Sequence, residues 1–176
     1  LAGTTNPPSE GTVCIGFNAG SGTSSSVKTK SVQIGDSSNI AGSGIHAVAV
    51  GYNSNAGGDY SQAYGVNAAA TGVSAIAVGA GAQAQGVGSI GIGGRYNGGA
   101  SYGALGTKSI VIGDGTALNA AVEEGAVVIG ASAALSGAGE DNIIIGNLAN
   151  SANATDQAIC LNATGVDLVA VAGGFV

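Results

Sequence analysis

The residues able to do chemistry are few, and their placement limits what they can do. The single histidine, His46, precedes the run AVAVG, and Asp59 follows one repeat later. Such a pair performs acid–base work only beside a nucleophile or second carboxylate, and no motif supplies one, so His46 is read as an edge residue. Glu123 and Glu124 stand together in VEEG, and Glu140 and Asp141 in GEDN. Paired carboxylates hydrolyse glycosides or bind Ca²⁺. Neighbours on a strand, however, point to opposite faces, and solvated turn charge is the better reading. The segment IGDG at Ile112–Gly115 lacks the following helix that a phosphate-binding loop needs. Cys14 and Cys160 lie near opposite ends, with no metal-ligand spacing around them. No catalytic, cofactor-binding or metal-binding residue is assigned, and the chain is read as no enzyme.

Three other groups suit recognition. Arg95, Tyr96 and Asn97 sit in the glycine-flanked insertion GRYNGG, a candidate binding spot for a glycan or protein, or else a solvated loop. Lys28 and Lys30 end a Ser/Gly-rich stretch and offer charge to an acidic partner, or belong to a flexible loop. The tripeptide NAT occurs at Asn153 and Asn162, each a glycosylation acceptor if the protein matures in a eukaryotic secretory pathway.

The elements that must hold these residues are unusual. Of 176 residues, 34 are glycine and only 8 % are charged, against an average charged share near 25 %. With 45 % apolar residues, disorder is disfavoured. A net charge of −6 with four basic residues argues against binding nucleic acid or an anionic membrane. No uninterrupted apolar run is long enough to span a bilayer. The chain begins at Leu1, as expected of a processed product or a piece of a longer protein.

The organising feature is a repeat. Glycines stand every seventh residue from Gly51 to Gly93. A coiled coil is excluded, because glycine costs about 0.8–1.0 kcal/mol relative to alanine in a helix. Every other glycine instead closes a short segment: TVCIG, SVQIG, AVAVG, SQAYG, AIAVG, SIGIG, SIVIG, AVVIG and NIIIG, with AICLN last. The turn glycines Gly51, Gly65, Gly79, Gly93, Gly113, Gly130 and Gly146 belong to this series. Asn162 holds the glycine place in the last unit, which suggests a left-handed backbone there. The base unit is fourteen residues, two strands and two turns. Units this short bury no core alone, so they stack, with a rise of about 4.8 Å.

Within one unit the two strands differ. In GAQAQG, Ala82 and Ala84 alternate with Gln83 and Gln85, small inside and polar outside. In SAIAVG both faces are apolar: Ile76 and Val78 on one, Ala75 and Ala77 on the other. A strand apolar on both faces is covered on both. One face is the roll's own core, and further copies of the chain are the simplest cover for the other.

The stretch SAIAVGAGAQAQGVGSIGIGG resembles the head repeats of YadA-like trimeric autotransporter adhesins, over about Thr12 to Asn162. The resemblance implies an all-β, left-handed parallel β-roll (a β-solenoid) of about ten coils, assembled as a homotrimer. The match departs from the family pattern in that several coils carry extra residues and these 176 residues include no counterpart of the family's stalk coiled coil or membrane anchor. The segment AICLNATGVDLVAVAGGFV is similar to repeat-containing fibre and surface proteins of large algal DNA viruses and to phage tail fibres. Residues 1–11 then form a lead-in, 12–162 the roll and 163–176 a connector. With the middle strand positions turned to a three-fold axis, the trimer-interface candidates are Cys14, Ala49, Ala63, Ala77, Val111, Val128, Ile144 and Cys160. Each cysteine then approaches its own copies and admits an interchain disulfide, or else stays a buried free thiol. About 40 Å separates Cys14 from Cys160 along a straight roll, too far to pair within one chain. The expected role is a non-enzymatic fibre segment, on a virion or cell surface, that displays loops for attachment to a host receptor or glycan. The alternative is a monomeric β-solenoid that binds a repetitive surface such as polysaccharide or ice.

Overall fold

The structure, a computed structural model, describes residues 11–21, 30–41, 44–94, 103–114, 122–133, 140–147 and 159–161. Among these there is no helix. Thirteen short strands follow one another: β1 (Val13–Ile15), β2 (Val32–Ile34), β3 (Val48–Val50), β4 (Asn55–Ala56), β5 (Gln62–Tyr64), β6 (Ala69–Ala70) and β7 (Ile76–Val78), then β8 (Gln83–Ala84), β9 (Ile90–Ile92), β10 (Ile110–Ile112), β11 (Val127–Ile129), β12 (Ile143–Ile145) and β13 (Ile159–Leu161). Ten of them form one parallel sheet in the order β1-β2-β3-β5-β7-β9-β10-β11-β12-β13. The other three, β4-β6-β8, form a second parallel sheet. The chain is an all-β solenoid.

The fourteen-residue unit is visible in the register. Val48 pairs with Gln62, Gln62 with Ile76, and Ile76 with Ile90. On the second sheet Asn55 pairs with Ala69 and Ala69 with Gln83. Longer units keep the same register: Ile110 pairs with Val127, Val127 with Ile143, and Ile143 with Ile159.

Turns explain the glycines. Gly65 closes β5 with φ 134°, and a Cβ there would lie 2.5 Å from the carbonyl oxygen of Gly79 in the next coil. Both the backbone conformation and the close approach of coils require glycine. The same turn glycines at Gly51, Gly79, Gly93, Gly113, Gly130 and Gly146 all have φ between 100° and 141°. Those angles lie outside the left-handed helical well that asparagine favours. Asparagines occupy that well two residues later, at Asn53 (φ 51°) and Asn67 (φ 55°), where Asn53 Nδ2 donates to Asn67 Oδ1 at 2.8 Å. Asn162 lies outside the described residues. Serines close other turns on themselves: Ser61 Oγ donates to the Gly58 carbonyl at 2.6 Å, and Ser109 Oγ to that of Gly106 at 2.7 Å.

The core corrects one expectation. The middle residues of the long-sheet strands point into the roll itself. Ala49, Ala63, Ala77 and Val128 are 0 % exposed, Ile144 1 %, Cys160 3 % and Val111 4 %. Cys14 also turns inward, with its Sγ 3.7 Å from Gln33 Nε2. Seven of the eight candidates are therefore spent on the chain's own core, and Cys14 is half-buried beside it. The reason is width: across a fourteen-residue coil, Ala63 and Ala77 meet Ala56, Ala70 and Ala84 of the second sheet, all fully buried. Two sheets this close leave room for methyl groups and little more.

Candidate assembly surface

Turning the middle residues inward turns their neighbours outward. Every long-sheet strand therefore presents its first and third residues on the outer face. Parallel register aligns them into two columns, one from Val13 to Ile159 and one from Ile15 to Leu161. Eighteen of these twenty residues are Val, Ile or Leu, and the two others are Gln62 and Tyr64, both on β5. β-Branched residues suit this pleated surface. Their exposure remains substantial: Ile15 57 %, Leu161 41 %, Ile92 39 % and Val78 36 %. Ten strands spaced at about 4.8 Å make a face about 43 Å long. No charged residue lies in either column.

This face is what the chain leaves unfinished. Parallel sheets occur almost only with both faces covered, and contiguous exposed apolar patches of this extent mark interaction sites. The opposite sheet differs. Its inward residues Ala56, Ala70 and Ala84 are buried, while its outward residues Asn55, Ala69 and Gln83 are small or polar and half-buried. That side is suited to water.

The remaining candidates fall on the turns. His46 and Tyr60 occupy equivalent places in successive coils, and their rings stack at 5.2 Å with an 18° interplanar angle. Asp59 uses Oδ1 to accept the backbone N–H of Ile45 at 3.1 Å, so it ties two coils together. The two acidic pairs lie on neighbouring turns, not on strands: the Asp141 N–H donates to the Glu124 carbonyl at 3.0 Å. All four side chains are exposed. Lys30 is exposed at a turn with φ 55°. Lys28, Arg95, Tyr96, Asn97 and Asn153 lie outside the described residues. Among the described residues no group of three His, Cys, Asp or Glu is placed to hold a metal ion.

Sequence reasoning missed the outward columns as the exposed apolar face. Both faces of these strands are apolar, and the alanines of the second strand do not decide the choice, because small residues on one sheet face small or large ones on the other. No family model matches the chain, and no match is found among characterised proteins.

Proposed function

We propose that this chain is a structural segment of a homotrimeric surface fibre, on a virion or a cell, that carries loops outward for attachment to a receptor or glycan. Three left-handed rolls pack their long sheets around a common axis. The observation that carries this reading is the outer face of that sheet, two uncharged columns in which eighteen of twenty residues are Val, Ile or Leu. Three such faces turned inward bury one another and leave the small, polar second sheet in water. Backbone ladders between coils, repeated at every turn, would make the assembly stiff. The turn and loop residues are then free for recognition, since a rigid scaffold holds them away from the axis.

A monomer binding a regular surface has weaker support. The outward residues of the second sheet, Asn55, Ala69 and Gln83, do not repeat one chemistry. Light scattering on purified material tests the assembly. The reading expects a native mass about three times 16.4 kDa, and a mass of one chain would refute it.

A further inference from the structure

The outer columns repeat so closely that they raise a problem of alignment. Each strand offers nearly the same pair of aliphatic side chains, so copies displaced by one coil, about 4.8 Å, would bury almost the same surface. Only β5 departs, with Gln62 in one column and Tyr64 in the other. Neither is needed inside, because Ala63 between them fills the core and is fully buried. Both interruptions fall on the same coil, so they form one polar layer across an otherwise aliphatic face.

We propose that β5 is the register layer of the assembly, recognising the β5 strand of other copies of this chain. This rests on the reading that copies cover the outer face. Two properties suit it to a copy over a different partner. The Gln62 amide and the Tyr64 hydroxyl each carry a donor and an acceptor, so the same groups from another copy satisfy them. Neither column carries a charge that would repel its own counterpart. A displacement by one coil sets Gln62 and Tyr64 against Val48 and Val50, or against Ile76 and Val78, none of which has a polar side-chain atom. Buried without partners, the amide and hydroxyl penalise that arrangement. The layer also fixes direction. It is the fourth of ten strands, so copies packed head to tail over their full length would set it against β10, on Ile110 and Ile112. A single polar layer in an apolar seam is a known way to specify register at some cost in stability.

The test is mixing. Native chains with two different tags are refolded together, and native mass spectrometry counts mixed trimers. A second pairing combines native chain with Q62I/Y64V/I110Q/I112Y, in which the polar pair moves to β10. Native chains should mix at the statistical share, and native with moved-layer chains on the order of tenfold less. If the moved-layer chain fails to fold alone, as judged by circular dichroism, Q62I/Y64V carries the same test against native chain, with mixing again suppressed. Free mixing in these pairings overturns the register layer and leaves the trimer standing. A native chain that stays monomeric overturns both.

Discussion

The coils from Val48 to Ile92 and those from Ile110 to Leu161 share one sheet but are filled differently. In the first region the partner residues are fourteen apart, and the inward residues are Ala49, Ala63, Ala77 and Gly91. In the second they are seventeen or sixteen apart, and the inward residues are Val111, Val128, Ile144 and Cys160. Close packing makes the interior wider where these larger side chains, with Val122, are buried. The outer columns do not follow this change: Ile76 and Val78 in the narrow region correspond to Ile143 and Ile145 in the wide one. The size of the inward residues therefore varies along the roll, while the outer columns stay aliphatic apart from Gln62 and Tyr64. That independence is what an assembly face shared along the whole length requires.

Substitutions can break or sharpen this contrast. The largest effect is expected from Ile144→Ala in the wide region, about 2–5 kcal/mol of lost stability, because the cavity left in a wide coil cannot collapse. Urea denaturation would measure it. Gly65→Ala in the narrow region and Gly130→Ala in the wide one should each cost about 3 kcal/mol, since both combine positive φ with a carbonyl in the way. Similar losses would show that the turns, unlike the core, are the same device in both regions. Ala77→Val should cost about 1–3 kcal/mol by overpacking; a neutral result would mean that the core around Ala77 is not close-packed. The smallest effect is expected at Ser61→Ala, about 1 kcal/mol, from loss of the Gly58 hydrogen bond. Reductant should leave the native mass unchanged, since Cys160 is buried in the core and Cys14 turns inward beside Gln33.

Much of the fold is legible in the amino-acid sequence. Alternation in TVCIG through NIIIG specifies strands, the glycine spacing specifies turns, and the pattern of GAQAQG places Ala82 and Ala84 inside the second strand, where they are 4 % and 0 % exposed. The direction of the long-sheet strands is not legible from alternation, because both faces of SAIAVG are apolar. Deciding between Ile76 and Ala77 for the interior requires the distance between the two sheets, a property of the whole coil. The polar layer at Gln62 and Tyr64 is equally hidden, since its meaning depends on which face those residues share. The stacking of His46 on Tyr60 is hidden too: it follows from two turns meeting across a full coil.

The most direct measurement is the native mass, by light scattering, of Ile76→Lys/Ile90→Lys beside that of the unmodified chain. Both substituted residues lie on the outer face, so the solenoid should keep its strand signal in circular dichroism. The account predicts a trimer for the unmodified chain and a monomer of about 16.4 kDa for the variant. A folded variant that remains trimeric would contradict it, because lysines on a buried outer face would leave unpaired charge at the axis.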